Sequence, residues 1–228
     1  MDYIAEGFKT AIELLISFDP QVYKIIILSV FVSSTATAIA ATVSIPLGIF
    51  AGISNFRLKR LFSKVLYSMM SVPSVIVGLV VAIGLSRRGP LGFMQLLYTP
   101  AAMIIAQALL VFPLCLGLTY SLAKNRGSDI ERIGKTLGAG KLQGIVLIIR
   151  ELKAELFINV VTTFSRAISE VGAVMIVGGN IKGHTRVITT SIAMLNSMGD
   201  YPMAIALGLV LLIISFAINA VIYSLQEE

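Results

Sequence analysis

In this chain of 228 residues 57% are hydrophobic and only 13% charged, and the mean hydropathy is +0.91; a soluble domain, with roughly a quarter of its residues charged, could not be this apolar and stay dispersed. A single cysteine, Cys115, excludes an internal disulfide, and a single histidine, His184, leaves no Cys/His cluster with metal-ligand spacing. The net charge of +6 does not mark a nucleic-acid face, because the basic residues lie between apolar stretches, and no Walker-type phosphate loop or nucleophile–base pair is present.

Residues 1–19 carry Asp2 and Glu6 and lack a small-residue cleavage site after an apolar core, so they do not resemble a signal peptide. Ile4, Phe8, Ala11, Ile12 and Leu15 fall on one helical face, and Asp2, Glu6, Lys9 and Glu13 on another. That pattern fits a helix lying in the bilayer interface or an ordinary packing helix.

Crossing the hydrocarbon takes about 20 apolar residues in helical form. Five stretches qualify, at about 25–53, 65–85, 100–123, 154–177 and 201–225, and only the fourth contains charges. The expected fold is therefore an all-α membrane protein with an amphipathic N-terminal helix plus five transmembrane helices. Prolines and glycines interrupt the first three: Pro46 and Gly48, Pro73 and Gly78, Pro113 and Gly117. Each proline removes a backbone donor, which lipid tolerates only where a neighbouring helix or aqueous cavity covers the freed carbonyl. The second and third stretches are accordingly expected to face protein or a pathway, with Pro73 a pathway candidate; kinks that serve packing alone are the other reading. Gly48 and Gly52, at GxxxG spacing, indicate close helix packing.

Lys and Arg are retained on the cytoplasmic side. With the N-terminus outside, the inner segments hold Arg57, Lys59, Arg60, Lys64, Lys124, Arg126, Arg132, Lys135, Lys141, Arg150 and Lys153, and the outer ones Lys9, Lys24, Arg87, Arg88, Lys182 and Arg186. Eleven against six favours an outside N-terminus and a cytoplasmic C-terminus. The outer cations Arg87, Arg88, Lys182 and Arg186 run against the trend. They could draw an anion to an outer mouth, pair with acids on a delivering protein, or simply be solvated.

Residues 124–153 form the longest hydrophilic segment. Ser128 and Glu131 stand in the S-x-x-E spacing of a capping box, which predicts a helix starting there. Ile130, Ile133 and Leu137 then make an apolar stripe, and Gly138-Ala139-Gly140 supplies a stop. A second helical stretch follows with Leu142, Ile145, Val146 and Ile149. A short helix with an apolar face in the cytosol needs a partner surface, either its own bundle or another subunit.

The run Glu131-Arg132-Ile133-Gly134-Lys135-Thr136-Leu137-Gly138-Ala139-Gly140 resembles the cytoplasmic "EAA" loop of ABC-importer permeases, in the form found in the molybdate and tungstate branch. Ile133 and Gly134 replace the two alanines, and Glu151 stands where a later proline is usual. Arg87-Arg88-Gly89-Pro90-Leu91-Gly92 resembles an outer loop of the same branch, and Ser169 to Ala173 with Gly179 to Arg186 resembles a third segment, so the likeness covers nearly the whole chain. The tungstate permeases look most similar, especially over residues 169–191.

The resemblance implies a single transmembrane permease domain over 1–228 with the type I importer fold. Ser128, Glu131, Ile133, Thr136, Leu137, Gly138, Ala139 and Gly140 would couple to an ATPase. It further implies a second copy of the chain, ATPase subunits that bind ATP and Mg, and an extracytoplasmic oxyanion-binding protein, with no cofactor and no chemistry in this chain. A molybdate permease of the same type and, from a different class, an ATP-independent secondary transporter are the alternatives. With Glu228 soon after the last stretch, regulation through the C-terminal domain that some relatives use is not expected.

Arg166 and Glu170 are the charges well inside a span, at i,i+4 spacing on one helical face. With Gly172 they are pathway candidates; a neutral pair locking the fourth helix to a neighbour is the competing reading. His184 is expected in a loop, and Cys115 in packing.

Overall fold

The computed structural model describes residues 2–17 and 19–226 and consists of helices joined by short turns. α1 (Asp2–Ile16) lies along the last helix, α11 (Tyr201–Gln226). Gly7 permits this: a Cβ there would stand 2.6 Å from Ile205 Cγ2. Of the apolar face expected on α1, Phe8 and Ile12 are exposed, while the side chains at Ile4, Ala11 and Leu15 lie outside the described residues.

α2 (Pro20–Ile53) starts with proline at its first helical position and with the Asp19 carboxylate accepting the amides of Gln21 and Val22 at 2.9 and 3.0 Å. Both devices satisfy or remove amides that a helix start leaves unpaired. Along α2 a buried row of small residues, Ser29, Ser33, Ala36, Thr37, Ala40, Ser44, Gly48 and Gly52, packs on α5 (Pro100–Leu122). Gly48 and Gly52 are the closest points, where a Cβ would lie 2.9 Å from Thr119 and 2.7 Å from Ala123. The expected close packing at this pair is therefore present. Ile27, Phe31, Ile39, Val43, Leu47 and Phe50 point the other way and are exposed, an arrangement stable against lipid rather than water. Lys59 Nζ closes the helix by donating to the carbonyls of Gly52 and Ser54 at 2.6 and 2.8 Å.

Among the described residues three helices are long and apolar enough to cross a membrane, or up to five if two bent pairs each count as one span. The second and fourth stretches, expected as continuous helices, are those bent pairs. α3 (Lys59–Met70) and α4 (Ser74–Leu85) meet at 91°, and α8 (Lys153–Ile168) and α9 (Gly172–Gly178) at 59°. Pro73 causes the first break. It has no amide to donate and disfavours helical geometry at Val72, so the chain becomes extended, with φ −60° and ψ 131° at Pro73. Pro46 and Pro113, in contrast, lie inside α2 and α5 without ending them.

α5 continues through a π-helical turn, Ala123–Gly127, into α6 (Ser128–Thr136), making one helical run of 37 residues, Pro100–Thr136. The capping box expected at Ser128 and Glu131 is thereby corrected. Ser128 has helical angles, φ −61° and ψ −38°, and its hydroxyl donates back to the Lys124 carbonyl at 3.4 Å. No free helix start exists there to cap, because the preceding span already supplies the turn. α7 (Lys141–Glu151) folds back on α6, and α10 (Ile188–Met198) is an additional short helix packed on α11 that the hydropathy pattern did not reveal.

Among the described residues five apolar clusters bind the bundle, and three of them tie its ends and centre together. Val32, Val81, Met103, Ala106, Val174 and Val177 join α2, α4, α5 and α9. Ile49, Ala123, Ile148, Leu152 and Leu156 anchor the α6–α7 end, and Val22, Ile188, Leu207 and Val210 fasten α10 and α11 to the start of α2.

Candidate functional site

The two helix breaks lie against each other. At Gly78 a Cβ would be 2.6 Å from Ala173 Cα, and at Gly172 it would be 2.9 Å from Val75 Cγ2 and 3.0 Å from Ser74 Oγ. Two glycines thus bring the first turns of α4 and α9 into backbone contact, which any side chain would push apart.

Glu170, 3% exposed, holds this junction together. One carboxylate oxygen accepts Arg166 Nη1 at 2.7 Å, and the other accepts the Ala173 amide at 3.2 Å, one of the unpaired donors at the start of α9. The Ser74 hydroxyl, at the start of α4, hydrogen-bonds the same carboxylate. Nearby backbone groups are also engaged: Thr189 Oγ1 donates to the Glu170 carbonyl at 2.7 Å, and Gln107 Nε2 donates to the Ala167 carbonyl at 3.0 Å. Two carbonyls at the break in α8–α9 are in this way matched by side chains from α5 and α10.

Pro73, Arg166, Glu170 and Gly172 therefore converge on one junction. Their exposures differ. The Glu170 side chain is 3% exposed while that of Arg166 is 43% exposed, so the carboxylate faces protein and the guanidinium retains an open side. Ser74, Gln107 and Thr189 were missed in the sequence. Gln107 had a usable signal, a lone amide in an apolar run, whereas serine and threonine are too common in spans to stand out.

The four cations expected on the outer side do not form one cluster. Arg87 lines a recess with Phe93, Gln95 and Tyr98, and Arg88 is exposed on the loop. Lys182 and Arg186 line a different recess, together with Asp19 and Asp200. Arg186 Nη2 donates to the Asn180 carbonyl at 3.3 Å. His184 lies in the turn between α9 and α10, and Cys115 is buried.

At the opposite end, α6 closes in a Schellman turn. The Ala139 amide donates to Gly134 O at 2.9 Å and the Gly138 amide to Lys135 O at 3.0 Å, with Gly138 at φ +83°. Glycine reaches this left-handed conformation without a Cβ clash. Gly140 then begins α7, its amide donating to Gln143 Oε1 at 2.8 Å. Within α6, Glu131 pairs with Lys135 at 2.7 Å and Thr136 Oγ1 donates to Ile133 O at 2.8 Å. Gly134 and Gly144 face the crossing of the two helices, where a Cβ at Gly134 would be 3.2 Å from Leu147. The replacement of alanine by glycine at 134 thus makes room for this helix crossing. Ile133, Leu137 and Leu142 are 61%, 81% and 80% exposed. Such side chains, on a hairpin fixed to the bundle by buried Ile148 and Leu152, form an exposed apolar surface that no described residue of this subunit covers.

A lipid-facing bundle with broken helices at its centre and an exposed apolar hairpin at one end belongs to a transport permease. Residues 44–227 match the binding-protein-dependent transport system inner membrane components, and the chain is a member of that family. It is a multi-pass inner-membrane subunit, non-catalytic itself, of a system that includes a binding protein and an ATPase. Over all 228 residues, the whole of both chains, it is 93% identical to the tungstate uptake system permease protein TupB of Peptoclostridium acidaminophilum. It is 36% identical over 227 residues to TupB of Campylobacter jejuni, covering 100% of this chain and 95% of the relative. To the molybdenum transport system permease protein ModB of Escherichia coli it is 28% identical over 189 residues, 78% of this chain and 80% of the relative.

Proposed function

We propose that this chain is the permease subunit that carries tungstate into the cell in an ATP-driven ABC importer. The full-length 93% identity to a tungstate uptake permease carries the reading, against 28% to a molybdenum permease. Membership of the binding-protein-dependent family argues against an ATP-independent secondary transporter.

In this reading ATP and Mg reside on the partner ATPase, and the segment from Ser128 to Gly140 is what that partner grips. Ile133, Leu137 and Leu142 supply the apolar contact, and the Gly138 turn sets the angle between α6 and α7. Force applied there reaches the membrane along the unbroken run Pro100–Thr136 and through the anchored α7. The hairpin faces the cytoplasm and the N-terminus lies outside, as the eleven-to-six bias of Lys and Arg supports. Two copies form the pathway between them. α4, about 18 Å long at 1.5 Å per residue, leaves Val75, Leu79, Val80 and Ile83 exposed, which supports cover by a second subunit. Arg166 would offer the passing oxyanion a positive charge moderated by Glu170, and the loops carrying Arg87, Arg88, Lys182 and Arg186 would receive the binding protein.

The test is tungstate uptake by vesicles holding this chain, the ATPase and the binding protein, with molybdate as competitor. Wild type is expected to show ATP-dependent uptake, and Gly138→Asp to lose both ATPase docking and transport. Intact docking and transport in Gly138→Asp would overturn the coupling assignment. Orientation is read separately by an impermeant thiol reagent. Cys115 is buried, so added outside it should label Arg88→Cys and spare Lys135→Cys.

A further inference from the structure

A recess of about 520 Å³ opens where α2 ends, α3 begins and α5 passes into its π turn, at the same end of the bundle as the α6–α7 hairpin. Arg57, Arg60 and Lys124 line it together with Asn55, Ser63 and Tyr120. No carboxylate among the described residues lines this recess. Among the described residues, none of the three cations takes part in an ion pair, although Lys9, Arg126, Arg132, Lys135 and Arg166 all do. One of the recesses beside Lys182 and Arg186 contains Asp19 and Asp200, and this one contains no such compensation among the described residues. Lys59 adds a fourth positive charge on its wall while its ammonium is engaged by the Gly52 and Ser54 carbonyls. Leu58 provides no side-chain cap for α3, so the positive end of that helix dipole also faces this region.

The flank of the recess is apolar. Phe56, Leu58, Leu61 and Val65 are exposed on the same turn and first helix turns. A small free anion would satisfy the cations and leave this flank bare. An anion attached to acyl chains satisfies both.

We infer that this recess binds the phosphate headgroup of an anionic phospholipid, with Arg57, Arg60 and Lys124 as its ligands and the start of α3 against the acyl chains. Basic pockets between membrane helices bind anionic lipid headgroups, and each Lys or Arg of a polybasic segment near an anionic membrane surface strengthens the attraction roughly fivefold. The inference places the recess at the cytoplasmic surface and so rests on the orientation proposed above. Lipid binding measured in detergent has no sides, and its outcome is therefore separable from a failure of that orientation.

The experiment is native mass spectrometry of the detergent-solubilised complex titrated with phosphatidylglycerol or phosphatidylcholine. Wild type is expected to retain phosphatidylglycerol selectively, and Arg57→Gln/Arg60→Gln/Lys124→Gln to lose it by about fivefold per cation removed. Arg87→Gln/Arg88→Gln, at the other end, should bind as wild type does. If the triple variant does not assemble, Lys124→Gln, at an exposed position, carries the test with one such step. Wild-type retention of phosphatidylglycerol by the variant would overturn the inference. So would equal loss in the Arg87/Arg88 control, displacement of the lipid by inorganic phosphate or tungstate, or loss of the ATPase subunit with the lipid retained.

Discussion

At the helix breaks a carboxylate that is 3% exposed satisfies a guanidinium, a hydroxyl and a backbone amide at once, whereas in the α6–α7 hairpin Leu137 and Leu142 turn outward at 81% and 80% exposure. In the first region Glu170 accepts the freed Ala173 amide, and Thr189 and Gln107 reach the Glu170 and Ala167 carbonyls from other helices. The second is secured at its base by Ile148 and Leu152 and left open at its tip. Substitutions in the two regions should therefore fail differently, the breaks through the fold of the subunit and the hairpin through assembly with another.

The largest effect is expected at Glu170. Glu170→Ala leaves the Ala173 amide and the Ser74 hydroxyl without their partner and frees an Arg166 that keeps an open side, and each buried polar group left unpaired costs about 1–3 kcal/mol. Thermal unfolding of the purified subunit should show it, and an unchanged midpoint would remove the junction from the architecture. Next comes the hairpin. Leu137→Ser/Leu142→Ser should leave that midpoint within the small change usual for surface sites, about 0.5 kcal/mol, yet weaken ATPase binding by about 2 kcal/mol or more, as loss of apolar anchors does. Should both quantities move together, the hairpin would belong to the subunit's own core and the contrast would fail.

Smaller effects sharpen the comparison. Gly78→Ala inserts a methyl against the Ala173 backbone and should cost about 1–3 kcal/mol as overpacking, with transport falling in proportion to folded protein. The smallest change is at Gly138, where a Cβ meets nothing within 4 Å. Gly138→Ala pays only for the left-handed backbone, about 1 kcal/mol, and Gly138→Asn, which visits that region more readily, should recover most of it. If Asn and Ala prove equally damaging to docking, space for the partner rather than backbone geometry is what the glycine provides.

Much of the fold was legible because hydrophobic run length and proline position act locally. Residues 25–53, 100–123 and 201–225 correspond closely to α2, α5 and α11. The bends of the second and fourth stretches were not legible. Pro73 marked the first as a candidate interruption without giving the 91° angle, and nothing in the run Ser169-Glu170-Val171 distinguishes a 59° bend from a straight helix. The capping box at Ser128 failed for a related reason. Its spacing is a local signal, and it was outweighed by a helix already in progress from Pro100. Of the candidate site, the i,i+4 pairing of Arg166 with Glu170 could be read directly, since both lie on one helical face.

The sequence by itself determined that the chain lies in a membrane, where its main spans fall, which end gathers positive charge, and that residues 131–140 resemble a coupling loop. All of these depend on composition or on neighbours within a few residues. Tertiary structure alone decided that Glu170 meets Ser74, that Gln107 reaches the Ala167 carbonyl across 60 residues of chain, and that Gly78 and Gly172 draw two broken helices into contact. Those pairings join segments far apart in the chain, and they form because backbone groups freed inside a bilayer have no water to turn to and are satisfied by whichever side chains the bundle brings within reach.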